Sequence, residues 1–239
     1  MHHPARGIVL RSTKYTDNSL IVNMYTDKFG LQSYLVRGAN AKSSKIKSNY
    51  FQGLTLLNMV VSKSEKHKLE HIKEIAEVKS FDAENDPVKN SICFFINELV
   101  YKTLHEEETN PPLFDFLANT LDILQLSTTN CVNFHLTFML KYAQYRGFYP
   151  SENFSENNSI FDMVEGSFAN ELPRHAHFLD KEYSALVWRL MNTNYENSHQ
   201  LSINNKQRKQ LLLSLIDYYK LHNANTGEIT SHLVLEQLF

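Results

Sequence analysis

The stretch GIVLRSTKYTDNSLIVNMYTDKFGLQSYLVRG, residues 7–38, decides the fold of the first part of the chain. Apolar and polar residues alternate through Gly7–Lys14 and again through Leu31–Val36. Ser19–Thr26, between them, is rich in residues that favour β-structure. A period of two is typical of strands with one buried face, so this stretch predicts three strands.

Two further extended segments, Phe51–Ser62 and Lys68–Ser80, follow the first three predicted strands. Apolar and polar residues alternate less regularly in the second segment, so a helix remains an alternative there. Asp27–Gly30 predicts the turn between the second and third strands, because Gly30 adopts positive φ at no steric cost. Five strands with one long connection between the third and fourth are typical of a small closed barrel, and we expect an OB-fold.

Helical spacing replaces the period of two after residue 82. Asn85 or Asp86 can cap a helix that holds Pro87 in its first turn. Apolar spacing predicts six helices, over Val88–His105, Pro111–Leu126, Cys131–Arg146, Lys181–Met191, Asn204–Leu221 and Ser231–Phe239.

The region at about 148–176 has no sustained period and predicts an irregular insert with a hairpin near Ile160–Phe168. The predicted fold class is therefore α+β. Residues 1–80 form a five-stranded OB-fold barrel for nucleic-acid binding, and residues 81–239 form an all-helical domain that contains the insert.

Charge is divided along the chain in the same place as the predicted domains. Residues 1–80 hold 13 basic and 6 acidic residues, a net of +7, whereas residues 81–239 hold 11 and 20, a net of −9. Such asymmetry indicates a module that faces a polyanion joined to a different one.

The sequence lacks the motifs that would identify several classes of enzyme. The 7 glycines form neither a dinucleotide-binding nor a P-loop pattern. His105–Thr109 begins like a zinc-protease helix but has Thr109 in place of the second histidine ligand, and Ser44–Lys47 has no partner motif of a lactamase. We therefore predict that the chain is not an enzyme and needs no cofactor or metal.

The two cysteines, Cys93 and Cys131, lie in apolar helical stretches, which favours a reducing compartment over a disulfide framework. No apolar run is long enough to cross a membrane, and the opening residues do not resemble a secretory signal. We expect a cytoplasmic protein with no membrane partner.

The segment from Arg37 to Ser48 is the most informative stretch for function. It holds four cations, no acidic residue and small spacers, a composition that suits a phosphate backbone. On composition alone a solvated surface loop is equally favoured, but the segment joins the third and fourth predicted strands, near the face that binds single strands in OB-folds. The predicted phosphate-binding cations are Arg37, Lys42, Lys45 and Lys47 in this segment, and Arg11 and Lys14 on the first strand.

Aromatic residues near these cations offer surfaces on which bases can stack. They are Tyr15, Tyr25, Phe29 and Tyr34. Taken singly, each is favoured as a core residue over a base-stacking one.

A second basic group lies at the start of a predicted amphipathic helix and consists of Lys206, Arg208 and Lys209. With the apolar face of the same helix it could dock an acidic peptide that ends in an aromatic residue. An ordinary core helix with a polar first turn is the favoured alternative from the residues alone.

The chain resembles the bacterial RecO family of recombination proteins at its start, centre and end. The features that carry the resemblance are Gly7–Leu10, Tyr15 and Asp17, Thr26, Gly30, Arg37–Ser48, Arg146–Pro150, Phe161–Phe168, Tyr218–His222 and Thr230–Leu238. No single motif is very specific, but the ordered set is, and it covers both predicted domains.

The resemblance implies a recombination mediator that binds single- and double-stranded DNA and anneals complementary strands. It also implies action on DNA coated with single-stranded DNA-binding protein (SSB), together with RecR, to help RecA load. The tail of SSB would be the acidic peptide at Lys206, Arg208 and Lys209. These are binding activities without covalent chemistry.

The central region departs from the family pattern in one respect. Many RecO proteins carry what looks like a four-cysteine zinc ribbon there, whereas Ser151–Arg174 has no cysteine. We expect a degenerate zinc-ribbon-like region that is held by packing and binds no zinc.

Two other functions stay open from the sequence. One is an RNA-binding OB module on a helical scaffold, which differs from a DNA mediator in its use of the 2′-hydroxyl. The other is an enzyme whose site is assembled from dispersed residues of the helical domain.

Overall fold

A computed structural model describes residues 2–39, 46–62, 69–82, 86–105 and 108–238. The chain divides into two compact units. The first consists of Met1–Asn85 and Asn97–Gln125, and the second of Asp86–Ile96 and Leu126–Phe239. The division of the chain into domains at residue 80 stays a prediction.

The first unit contains a five-stranded antiparallel sheet in the order β3-β2-β1-β4-β5. Its strands are β1 (His2–Thr16), β2 (Ser19–Thr26), β3 (Gly30–Arg37), β4 (Leu56–Ser62) and β5 (His71–Lys79). The predicted turn is present: Gly30 has φ 63°, and Thr26 Oγ1 closes the turn by donating to the Gly30 carbonyl at 2.9 Å. All five strands that the sequence predicts are present in this sheet.

The sheet is not closed, although the sequence predicts a closed barrel. Among the described residues, one isolated parallel bridge joins Tyr34 of β3 to Glu70, the residue before β5. There the Leu35 N–H donates to the Glu70 carbonyl at 2.8 Å, and the Glu70 N–H donates to Ser33. Two register shifts in the β4–β5 ladder bend β5, and its pairing continues only with β4.

The core of this sheet comes from alternate residues of its strands. Leu20, Val22 and Met24 of β2 are buried, whereas the residues between them are half-buried. Phe51 also joins the core, but from a 3₁₀ turn at Ser48–Phe51 rather than from the predicted strand. Leu54, with φ 62°, turns the chain before β4 begins, so the strand starts five residues later than predicted.

Six helices lie within the described residues, close to the six predicted ranges. They are α1 (Pro87–Thr103), α2 (Pro111–Leu126), α3 (Phe134–Tyr145), α4 (Lys181–Met191), α5 (Asn205–His222) and α6 (His232–Leu238). Asp86 accepts from the N–H groups of Val88 and Lys89 at 2.9 and 3.1 Å, which confirms it as the cap of α1. No helix in the described ranges combines the length and apolar character needed to span a bilayer.

A small second sheet, in the second unit, has two of its three strands in the region at about 148–176 that the sequence predicts to be irregular and the third just after it. It has the order β7-β6-β8 and consists of β6 (Ile160–Asp162), β7 (Ser167–Ala169) and β8 (Phe178–Leu179). The β6–β7 hairpin confirms the predicted one, whereas β8 is too short to leave a pattern in the sequence. Phe161 and Phe168 pack against each other across the hairpin with ring centroids 5.1 Å apart.

Candidate nucleic-acid interface

One face of β1, β2 and β3 lies opposite the core of the first sheet. Arg11, Asn23 and Ser33 form one row across the three strands, and Thr13, Ile21 and Leu35 form the next. Because side chains alternate between faces, Ser19 and Arg37 lie on this side as well. We call these eight residues the outer face: Arg11, Thr13, Ser19, Ile21, Asn23, Ser33, Leu35 and Arg37.

The outer face carries two arginines and no carboxylate. None of its residues is buried, and Arg11, Thr13 and Arg37 are exposed. The face also has a polar pair that the sequence analysis missed, in which Ser33 Oγ donates to Asn23 Oδ1 at 2.7 Å. The signal for it was one polar residue on the solvent side of each of two neighbouring strands, Asn23 in β2 and Ser33 in β3. Such a surface offers cations and neutral hydrogen-bonding groups to an anionic chain.

Arg11 is held at one edge of the outer face by α1. Its Nη1 donates to Tyr101 Oη at 3.1 Å, and its guanidinium lies 5.3 Å from the centre of the Tyr101 ring. This contact uses one of the five N–H donors of Arg11. Other donors of the same guanidinium can therefore bind a phosphate without a change in the position of the side chain.

Lys14 lies on the opposite side of the sheet from Arg11. It pairs in register with Leu20, a core residue, because β1 has an extra residue on either side of this segment. Lys14 Nζ lies 2.7 Å from Asp17 Oδ1 in an exposed ion pair. Exposed pairs of this kind contribute little energy, so Lys14 stays available to a ligand. Because it lies on the other side of the sheet, it does not belong to the outer face.

The predicted basic segment leaves and rejoins the sheet at fixed points. Gly38, with φ 72°, turns the chain away from Arg37, and Ala39 is buried in the core. The Ser48 N–H then donates to the Ala39 carbonyl at 3.1 Å, which closes the base of the segment. Arg37 and Lys47 are exposed at its two ends, and Lys42 and Lys45 lie outside the described residues.

The four aromatic residues that the sequence offers for stacking differ in exposure. Tyr25 and Tyr34 are core residues with 1% of their surface exposed, so they have no face free for a base. Burial and the neighbouring charge of Glu70 raise the pKa of Tyr34 well above its ordinary value. Phe29 is half-buried against His3, whereas Tyr15 is 60% exposed.

The basic group at the start of α5 is divided by burial. Lys206 is exposed and Lys209 half-buried, but Arg208 is only 6% exposed. Arg208 donates from Nε to Asn133 Oδ1 at 3.0 Å, from Nη1 to Asn205 and from Nη2 to the Ile203 carbonyl. Burial lowers its pKa below the ordinary value. The structure thus uses Arg208 inside the second unit rather than on the surface where the sequence prediction places it.

The described part of the chain contains no group of three or more His, Cys, Asp or Glu side chains that could hold a metal ion. Asp162, on β6, accepts the N–H groups of Val164 and Glu165 and lies 3.3 Å from His175 Nε2. Cys93 and Cys131 are buried, and burial raises the pKa of the Cys93 thiol to about 12. A Cys93 thiol that stays protonated does not fit a zinc ribbon, which needs thiolate ligands.

Two family models cover most of the chain. Recombination protein O N terminal matches residues 1–81, and Recombination protein O C terminal matches residues 84–226. The two matches meet near the change of pattern and of charge that the sequence shows.

Curated relatives match along the whole length. A DNA repair protein RecO of Flavobacterium psychrophilum is 35% identical over 242 residues, which cover 100% of both chains. One of Phocaeicola vulgatus is 33% identical over 234 residues, 98% of this chain and 97% of the relative. One of Azobacteroides pseudotrichonymphae is 30% identical over 240 residues, 100% of both chains.

The α+β fold and the two family matches define the class as recombination and DNA repair proteins. Within that class, the chain belongs to the RecO family. The family resemblance that the sequence indicates is thereby confirmed.

Proposed function

We propose that this protein is a recombination mediator that binds single- and double-stranded DNA through the outer face and the adjoining basic segment. The observation that carries the proposal is the carboxylate-free outer face, whose Arg37 leads directly into the basic segment. Membership of a DNA repair family supports DNA as the polyanion. We further propose that the open sheet is an OB-fold, since it has five antiparallel strands with a long connection between the third and fourth. The ligands of OB-folds bind on strands 2 and 3.

Affinity would come from cations that meet phosphates, without readout of bases. Arg37, Lys42, Lys45 and Lys47 are the main contacts, with Arg11 at the far edge of the face and Lys14 beside the β1–β2 hairpin. The hydroxyls of the small residues in the segment add hydrogen bonds to phosphate. We assign this role to a DNA-binding domain at residues 1–80.

The charge division suits strand annealing. Residues 81–239 carry a net of −9, so they repel DNA and confine it to the basic domain. Two strands held on one basic surface meet at high local concentration, and any complementary pair can anneal there because contacts with phosphates do not depend on sequence. We propose that the protein anneals complementary strands in this way, by binding and without covalent chemistry, in the cytoplasm at the nucleoid.

The helical domain, residues 81–239, would supply the contacts with protein partners. We propose that Lys206 and Lys209 attract the acidic tail of SSB to the start of α5, while Arg208 holds the local structure from inside. By acting together with RecR, the protein would then remove SSB and expose DNA on which RecA loads. Charge reversal at Lys206 and Lys209 should weaken binding of a fluorescent SSB tail peptide, and unchanged affinity would discard this site.

The test of DNA binding is charge reversal of the basic segment. The triple variant Lys42→Glu, Lys45→Glu, Lys47→Glu should bind a fluorescent oligo(dT) more weakly. The slope of log affinity against log salt should also become shallower, by about 0.7 for each phosphate that the variant no longer neutralises. The matched control reverses three other lysines that are exposed in the structure, Lys28, Lys73 and Lys181, and so changes the net charge equally.

Equal weakening in the test and control variants would show a general charge effect and contradict the assignment. An RNA oligonucleotide of the same sequence separates the mediator from an RNA-binding module. If RNA displaces DNA at a lower concentration than DNA displaces RNA, the RNA-binding module is the better description.

A further inference from the structure

Tyr15 occupies an irregular position near the tip of the β1–β2 hairpin. Lys14 pairs with Leu20 and Thr16 pairs with Ser19, so Tyr15 is an extra residue without a partner across the ladder. An extra residue of this kind is a β-bulge, which bends the strand and redirects a side chain.

The same strand contains a second bulge, and the comparison shows what is unusual about Tyr15. Leu10 is the extra residue there, between Val9 and Arg11. Its side chain is 2% exposed, and its carbonyl accepts from Asn97 Nδ2 at 3.1 Å. The bulge at Leu10 therefore serves packing, whereas the bulge at Tyr15 directs a large aromatic ring into solvent.

The packing of the first unit does not use the ring of Tyr15. It is 60% exposed, the highest exposure of an aromatic residue in the described part of the chain. Within that part the ring contacts no other aromatic ring, and the hydroxyl makes no hydrogen bond. Exposure of so large an apolar surface forgoes the hydrophobic stabilisation that the other tyrosines of the sheet obtain.

The Lys14–Asp17 ion pair beside Tyr15 carries no net charge, so Arg37 leaves this end of the sheet positive, which favours an anionic ligand such as a nucleic acid. Arg37 pairs with Ser19, and Ser19 pairs with Thr16, the residue next to Tyr15. Two strand spacings place the backbone of Arg37 about 10 Å from that of Thr16. A strand whose phosphate contacts Arg37 can therefore lay a neighbouring base on the Tyr15 ring.

We propose that Tyr15 is a base-stacking residue, on which an unpaired nucleobase stacks while Arg37 holds a phosphate. The proposal rests on the DNA-binding role given above and adds a preference for unpaired bases to it. Stacking on an aromatic ring tolerates every base, as a mediator that acts on any sequence requires. A base inside a duplex has its faces covered, so duplex affinity does not depend on Tyr15.

The test compares Tyr15→Ala, Tyr15→Phe and the control Phe94→Ala, which removes an aromatic ring that is 56% exposed on α1. Fluorescent oligo(dT), an abasic strand of equal length and a duplex serve as probes. Tyr15→Ala should weaken oligo(dT) binding about 5- to 150-fold. The salt slope should not change, because every phosphate contact is kept. Tyr15→Phe and Phe94→Ala should bind oligo(dT) like the parent, and all variants should bind the abasic strand and the duplex equally.

Unchanged oligo(dT) affinity in Tyr15→Ala would overturn the stacking proposal. If the charge-reversal triple variant still binds more weakly in that case, the DNA-binding role stands and only the stacking role fails. If the parent protein does not bind oligo(dT), both fail together. Equal weakening on oligo(dT) and the abasic strand would also overturn it, since an effect that does not require the base is not stacking.

Discussion

Arg208 Nε lies 3.0 Å from Asn133 Oδ1, in the interior of the second unit. Asn133 in turn donates to the carbonyls of Ser198 and Leu201 at 2.9 and 3.1 Å. The two side chains thus join the start of α3, a 3₁₀ turn at Ser198–Gln200 and the first turn of α5. A buried guanidinium is stable only with its partners in place, so these contacts act as a unit.

We expect Arg208→Ala and Asn133→Ala each to lower the free energy of unfolding by about 2–4 kcal/mol. Because each variant leaves the same network unsatisfied, the double variant should cost clearly less than the sum of the two. Urea denaturation of the four proteins measures this coupling. Additive effects would show that the two residues act independently. Lys209→Ala, one position along the same helix, is the control and should cost little.

His135 should make stability fall in acid. Burial and the charge of Arg208 lower the pKa of this imidazole to about 3, from an ordinary value near 6.5. The unfolded chain therefore binds a proton below pH 6.5 that the folded chain does not bind. Protonation of His135 in the unfolded chain therefore leaves the free energy of unfolding unchanged above pH 6.5. Below that pH it lowers the free energy of unfolding by about 1.4 kcal/mol per pH unit, down to about pH 3.

The variant His135→Phe removes this proton while it keeps a ring beside Phe95, whose centroid is 6.1 Å from that of His135. Urea denaturation between pH 7.5 and 4.5 should give a shallower dependence on pH in the variant than in the parent. Identical slopes would mean that His135 contributes nothing to the acid sensitivity.

Gly166 should tolerate a side chain less well than Gly147. Both have positive φ, 63° and 80°, so alanine strains the backbone at each. A Cβ on Gly166 would also lie 2.8 Å from Tyr218 Oη, whereas one on Gly147 would meet nothing within 4 Å. Tyr218 Oη donates to the Phe148 carbonyl at 2.6 Å and cannot move without breaking that bond.

Thermal unfolding should therefore show a larger destabilisation for Gly166→Ala than for Gly147→Ala, by about 1–2 kcal/mol. In a Tyr218→Phe background the excess should shrink, because the crowded hydroxyl is gone. If Gly166→Ala still destabilises the protein more than Gly147→Ala in that background, the contact with the Tyr218 hydroxyl is not the cause of the difference.

Zinc should be absent from the purified protein. Asp162 already accepts two backbone N–H groups, and aromatic residues pack around the small sheet where a zinc ribbon would place its metal. Elemental analysis should find much less than one zinc per chain, and a chelator should leave the melting temperature unchanged. One zinc per chain would contradict the expectation of a metal-free region.

The strands and helices could be predicted from the sequence because their patterns are local. Leu20, Val22 and Met24 alternate with more exposed residues, and the alternation directly reports which face is buried. Asp86 before Pro87 identifies the start of α1 in the same way. Signals of this kind need no knowledge of what lies across the fold.

The features that escaped prediction depend on distant partners. Arg208 is one residue from Lys209, and its burial depends in part on Asn133, 75 residues away at the start of α3. Tyr34 lies in the core of the sheet and Tyr25 packs against Phe114 of α2, so both are buried by partners distant in the sequence, whereas Tyr15 stays exposed. The two bulges of β1 exist only in its pairing with β2, so neither Leu10 nor Tyr15 could be identified as an extra residue beforehand.

Annealing of SSB-coated complementary oligonucleotides is the measurement that tests the role of recombination mediator most directly. Two strands with a donor and an acceptor dye, each saturated with SSB, anneal slowly alone. Addition of this protein should accelerate annealing, and the variant with glutamate at positions 42, 45 and 47 should lose most of the acceleration. An annealing rate equal to that without the protein, under conditions in which it binds the bare strands, would contradict the account.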